Sequence, residues 1–233
     1  MLAIITGATK GIGRACAFAF AKKGFDLALC ARTQSDLDVL QKELHNTFPN
    51  VETHVRACDV SIKKQVQEFG NWCLTLSETM DVLINNAGIF LPGDIHDEPD
   101  GHFEQLMHTN LFSAYHLTRV IVPNMRAHKK GHIFNMCSVA SINAYDAGGT
   151  YAITKFGLLG FSKNLRHELR FYNIRVTAVL AGATLTESWA GTELPESRFM
   201  QAEDVAKAII AAYNLSAHTV VEEILLRPQE GDI

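Results

Sequence analysis

Residues 2–13 read LAIITGATKGIG: an uncharged run, Leu2–Thr6, passes at once into glycines at 7, 11 and 13. A short apolar or β-branched run bounded by a glycine turn reads as a buried strand. After the turn, Ile12–Lys23 carries a helical pattern that stops at Gly24, with Lys22 and Lys23 near the negative end of the helix dipole. Strand, glycine turn and helix together form the first unit of a nucleotide-binding sheet. Glycine lets the backbone pass close to a ligand. The helix start offers free N–H groups and a positive dipole end, which suit a pyrophosphate. The candidate cradle is Gly7, Thr9, Lys10, Gly11, Ile12 and Gly13, spaced G-x-x-x-G-x-G in place of the commoner G-x-G-x-x-G.

The same alternation continues outward. Further strands are expected at Leu27–Ala31, Thr53–Ala57, Val82–Asn85, His132–Met136, Arg175–Val179 and Thr219–Leu226. Their near-continuous apolar character is that of strands covered on both faces of a parallel sheet. Helical patterns fall at Ser35–Asn46, Ser61–Ser77 with Ser61 as N-cap, His102–Met125, Tyr151–Tyr172 and Glu203–Asn214. Alternating strands and helices imply an α/β fold: a Rossmann-like, doubly wound sheet with helices on both faces. No linker or repeat interrupts it, so residues 1–233 are expected to form a single domain. The least regular stretch, 183–200, follows the sixth strand, where open sheets face their ligand crevice, and is expected to be a substrate-facing flap.

Composition narrows the function. The chain is 47 % hydrophobic and 20 % charged, with a formal net charge of -4 and no basic stripe, which argues against nucleic acid. No apolar run approaches the ~18 residues of a membrane span, and the opening residues are too few and too uncharged for a signal peptide. Five cysteines without a C-x-x-C fit reduced, buried thiols. Ten histidines show no metal-ligand spacing, so no metal is expected. A soluble cytoplasmic protein is the expectation.

The end of the second strand, ALCART, chooses the dinucleotide. An acidic residue there would bond a ribose 2′-OH and favour NAD(H); Ala31 and Arg32 stand in its place. Arg32 as a fork and Lys10 as a point charge suit a 2′-phosphate, so NADP(H) is expected. Farther on, TYAITKFG puts Tyr151 and Lys155 one helical turn apart. A neighbouring ammonium stabilises a phenolate and draws a tyrosine pKa down from about 10, which lets the phenol cycle as acid and base.

With these residues in view, the whole chain resembles the short-chain dehydrogenase/reductase family. The marks are TGATKGIG, NNAG at Asn85–Gly88, Ser138 thirteen residues before the tyrosine of Y-x-x-x-K, Asn110 in the long central helix, and Asp59 in CDVS. The resemblance implies a seven-stranded parallel sheet and a nicotinamide cofactor. It implies Tyr151 as general acid/base, Lys155 holding the nicotinamide ribose, Ser138 bonding the substrate oxygen, and Asn110 positioning a water that links Lys155 to solvent. Asp59 and Val60 would meet the adenine. Asn86, Ala87 and Gly88 would line the cofactor wall, with Asn85 helping to shape it. It also implies a homodimer or homotetramer through the two long helices and a small carbonyl or alcohol as substrate.

One segment departs from the family pattern: Ala181-Gly182-Ala183-Thr184-Leu185-Thr186 lacks the usual proline and carries Thr184 where an apolar residue is usual. Gly182, Thr184 and Thr186 remain cofactor candidates, with weaker pre-organisation. The ending HTVVEEILLRPQEGDI and the stretch TLTESWAG are similar to bacterial sepiapterin reductases and make Trp189 a substrate candidate. The implied activity is an NADPH-dependent carbonyl reductase, on a pterin side-chain ketone or a diketone. Rival readings are an alcohol or hydroxyacid dehydrogenase, a 3-oxoacyl reductase, and a nucleotide-sensing regulator on the same scaffold.

Overall fold

Seven strands alternate with helices in the computed structural model, which describes residues 1–189 and 191–233. The strands are β1 (Leu2–Thr6), β2 (Asp26–Ala31), β3 (Thr53–Ala57), β4 (Val82–Asn85), β5 (Gly131–Ser138), β6 (Ile174–Ala181) and β7 (Glu223–Leu226). The helices are α1 (Gly11–Lys22), α2 (Gln34–Thr47), α3 (Lys63–Cys73), α4 (His102–Leu106), α5 (Ser113–His128), α6 (Gly149–Leu169) and α7 (Ala202–Tyr213). The sheet is wholly parallel, in the order β3-β2-β1-β4-β5-β6-β7.

β1 shows why such a strand must lie in the middle. All five of its residues are buried. Ala3 and Ile5 join a core with Phe20 of α1, Leu37 and Leu40 of α2, and Val205 and Ile209 of α7. Leu2 and Ile4 join the opposite core, with Phe69 of α3, Ile121 of α5 and Leu169 of α6. Strand alternation thus feeds two cores at once, and each large buried side chain contributes about 1.5–3 kcal/mol. Strand order reverses between β1 and β4, which opens a crevice at the carboxyl ends of the strands.

Several boundaries differ from the sequence expectation. Ser61 does not cap α3: its hydroxyl and its N–H both donate to Asp59 Oδ1, and the helix begins at Lys63 and ends at Cys73. The helix expected at His102–Met125 extends to His128 and contains a π turn at Met107–Phe112 between α4 and α5. The last strand is Glu223–Leu226, shorter than Thr219–Leu226, and runs along the sheet edge. All five cysteines are free and buried. Among the described residues, no helix is long and apolar enough to cross a membrane.

Candidate active site

The crevice holds a cavity of about 790 Å3 whose walls come from the carboxyl ends of β1, β4, β5 and β6. On one side lies the glycine turn. Gly7 and Gly11 adopt left-handed backbone conformations, φ +64° and +49°, which only glycine takes without strain. A Cβ on Gly13 would stand 2.2 Å from the Gly7 carbonyl oxygen and 2.5 Å from Asn86 Nδ2, so the turn has no room for a side chain there. No side chain caps α1, which leaves its first-turn N–H groups for a ligand. This cradle fits a dinucleotide pyrophosphate.

The turn is fastened to the end of β4. Asn86 Nδ2 donates to the carbonyls of Thr6 (2.9 Å) and Gly7 (3.1 Å), while the Asn86 and Ala87 N–H groups both donate to Thr6 Oγ1 at 3.0 Å. Asn86, Ala87 and Gly88 line the cavity. Asn85 does not. It is buried, and its Nδ2 donates to Thr118 Oγ1 and Asn135 Oδ1, so it ties β4 to α5 and β5 and does not shape the cofactor wall.

Across the cavity stand Ser138, Tyr151 and Lys155. Ser138 ends β5, and its Oγ accepts from the Ala140 N–H while its own N–H donates to Ser141 Oγ. These reciprocal bonds fix the strand end in a capping box. Tyr151 lies in the first turn of α6, and the Phe90 ring meets it edge-on at 5.0 Å. Lys155 is 6 % exposed; its ammonium donates to the Met136 carbonyl at 2.8 Å and lies 5.5 Å from the Tyr151 ring centre. Burial pushes the neighbouring Cys137 thiol up to about 11, so it stays protonated and is no rival nucleophile.

Asn110 sits in the π turn, just behind the cavity wall. Its Oδ1 accepts from the Ile89 N–H at 2.8 Å, and its Nδ2 donates to the Ile89 carbonyl (2.9 Å) and to Thr154 Oγ1 (3.2 Å). It therefore clamps the loop following β4 to α6. A Cβ on Gly88 would stand 3.2 Å from Asn110 Oδ1 and 3.6 Å from Lys155 Nζ, wedged between the two.

The remaining candidates divide between those that line the cavity and those that do not. Gly182, Thr184, Thr186 and Trp189 line the cavity. Thr184 spends its hydroxyl on the Gly182 carbonyl, and Thr186 packs on Gly11. The Trp189 ring rests against Phe199 at 5.1 Å. Ala190, in the same stretch, lies outside the described residues. Thr9, Arg32, Asp59 and Val60 are not part of the cavity wall. Arg32 follows the end of β2, whose register with β1 sets it beside the glycine turn, and Asp59 follows the end of β3, one strand farther out. Arg32 is exposed there, and Asp59 holds Ser61. Lys10 pairs at 2.7 Å with Glu187, which follows β6.

Residues that the sequence did not single out also reach the cavity: Ile89 and Phe90 after β4, Ile142–Tyr145 after β5, and Asp232 and Ile233 of the tail. The tail folds back against the end of β6: a Cβ on Gly182 would stand 3.2 Å from Pro228 Cδ and 3.4 Å from Asp232 Oδ1, and Arg227 pairs with Asp232. No local motif marks that return.

Comparisons with known proteins agree with this fold. The family described as short chain dehydrogenase matches residues 1–196. A sepiapterin reductase of Chlorobaculum tepidum is 34 % identical over 99 % of this chain and 97 % of its own. A metagenomic short-chain oxidoreductase solved with NADP superposes with a TM-score of 0.86 at 30 % identity, over 98 % of this chain and 97 % of that one. An L-sorbose reductase of Gluconobacter frateurii, solved with NADPH and L-sorbose, gives 0.88 at 27 % identity, over 97 % and 95 %.

Proposed function

The chain belongs to the short-chain dehydrogenase family, and from that premise we propose that it is an NADPH-dependent reductase of small carbonyl compounds. One observation carries the reading: Ser138, Tyr151 and Lys155 face, across a single cavity, a glycine cradle with no room for side chains. The cofactor supplies a hydride to the carbonyl carbon when bound. The protein's part is to orient the carbonyl and deliver a proton. Ser138, held by its capping box, offers its hydroxyl to the substrate oxygen. Tyr151 gives its phenolic proton to that oxygen as negative charge develops. Lys155 is buried beside it, and its ammonium stabilises the phenolate left behind. The Asn110 clamp keeps the loop after β4 in place behind them.

Arg32 and Lys10 bind the 2′-phosphate, Lys10 exchanging its surface partner Glu187 for it. The flap at 183–200 and Trp189 cover the substrate. The 34 % likeness to a sepiapterin reductase supports a ketone on a pterin side chain, or a diketone of similar size. Phe112, Tyr115, Ile153 and Phe156, apolar and exposed on the π turn, α5 and α6, support association through these helices into a dimer or tetramer.

A panel of pterins, diketones, sugars and ketoacyl compounds, followed through NADPH oxidation, tests the activity. Turnover with at least one ketone is the expected result; tight NADPH binding without any turnover would favour a nucleotide sensor. For the cofactor, Arg32→Asp is expected to cut the NADPH-over-NADH preference by about tenfold or more, the worth of one charge-assisted pair. An unchanged preference contradicts the assignment.

A further inference from the structure

We infer that Glu98 is a positioning residue for the catalytic tyrosine, acting as a tertiary cap on the helix that carries it; this rests on Tyr151 being the acid, as proposed above. α6 begins without any side-chain cap of its own, because its N-cap position is Gly148. The missing partner arrives from the loop between β4 and α4. Glu98 Oε1 accepts from the Thr150 N–H at 2.7 Å, and Oε2 accepts from the Thr150 hydroxyl. Thr150 is 2 % exposed and directly precedes Tyr151. Both carboxylate oxygens are thus committed to one residue at the positive end of the helix dipole, where a carboxylate is favoured.

The nook is shaped to admit this side chain. A Cβ on Gly149 would stand 2.0 Å from Glu98 Oε1, and one on Gly93 2.7 Å from Glu98 Cγ. Gly149 also has φ +28°, in the range that disfavours side chains. Two glycines on separate segments therefore leave a space that the carboxylate fills. The same loop is pinned twice more to this corner: the Gly93 N–H donates to the Ala147 carbonyl at 3.1 Å, and the Ala147 N–H to Asp94 Oδ1 at 3.2 Å. The loop also carries Phe90, whose ring abuts Tyr151. Glu98 thereby locks the two segments that set the tyrosine's position, the start of α6 and the loop after β4. The hydrogen bonds with Thr150 hold the Glu98 carboxyl below the usual carboxylate range against the opposing effect of its burial, so it remains ionised in this role at neutral pH.

Three variants test the inference: Glu98→Ala, Glu98→Gln and Tyr151→Phe. Gln keeps an acceptor for the Thr150 N–H, and its amide can donate to the threonine hydroxyl, so it restores the geometry without the charge. With a ketone from the panel, Glu98→Ala is expected to lower kcat by about ten- to hundredfold, the scale of a small misplacement of a catalytic group. NADPH Kd should stay within about twofold, and Glu98→Gln should recover most of the turnover. Amide exchange, which needs no substrate, should show the Thr150 N–H exchanging at least about tenfold faster in Glu98→Ala and near wild type in Glu98→Gln. Wild-type kcat or unchanged exchange in Glu98→Ala overturns the inference, and so does a Gln variant as impaired as Ala. If Tyr151→Phe itself keeps normal turnover, the fault lies with the acid assignment and not with the cap.

Discussion

At the amino ends of the strands, Asp81, His132 and Arg175 are spent on the fold, whereas at the carboxyl ends Ser138, Tyr151 and Lys155 line an open cavity. Asp81 accepts from the Leu2 N–H and pairs with Lys130. Arg175 donates to the carbonyls of Ala212, Tyr213 and Leu215, closing the end of α7. His132 is 1 % exposed, bonded to Thr177 through Nε2 and stacked on Phe134, with Nδ1 left without a partner. One sheet therefore separates two uses of buried polarity. Groups at the amino end meet protein atoms and hold the sheet together. Those at the carboxyl end are oriented by protein atoms yet keep a face toward the cavity. Changes at the carboxyl end should alter turnover and binding, and changes at the amino end should alter stability.

The sharpest break of that rule is expected at the glycine turn, where fold and site share atoms. Gly13→Ala must fit a methyl against the Gly7 carbonyl, at a cost of about 1–3 kcal/mol. NADPH affinity, measured by fluorescence titration, should fall roughly 10- to 100-fold. Affinity at the wild-type level would mean that the turn yields easily and is not a fitted cradle.

A smaller effect, confined to the amino end, comes from His132. Burial and the nearby Arg175 charge push its pKa down to about 2. An unfolded histidine takes up its proton near pH 6.5 and the folded one does not, so unfolding binds a proton and stability falls as the pH drops below about 6.5. Between pH 6.5 and pH 5 the loss is about 2 kcal/mol. His132→Leu removes the proton site, and Thr177 keeps a partner in the Val221 carbonyl. Denaturant melts should show a flatter decline over this interval for His132→Leu, with turnover at pH 7 unchanged. An equally steep decline would place the acid sensitivity elsewhere.

How far the sequence could be read follows the same division. Strands buried on both faces announced themselves as apolar runs, and β1 and β4 begin and end where those runs do. The glycine turn was legible because its constraint is local: three glycines beside a strand. The Tyr151–Lys155 pair was legible because one helical turn fixes their relation. What stayed hidden depends on distant partners. The π turn around Asn110 adds no residue type that an ordinary helix lacks. Asn85 reads like its neighbour Asn86, yet one turns toward Thr118 and the other toward the glycine turn. Glu98 looked like one acid among several in an irregular loop, and Asp232 and Ile233 reach the cavity only because the tail folds back. The expected cap at Ser61 failed because Asp59 two residues earlier captures its hydroxyl.

The most direct test of the central claim is single-turnover reduction of a panel ketone by Tyr151→Phe with NADPH prebound. The phenylalanine keeps the ring that packs on Phe90 and loses only the proton donor. The expected rate is at least about 100-fold below wild type, with NADPH Kd and melting temperature unchanged. A rate within a few-fold of wild type would contradict it and move proton delivery to another group.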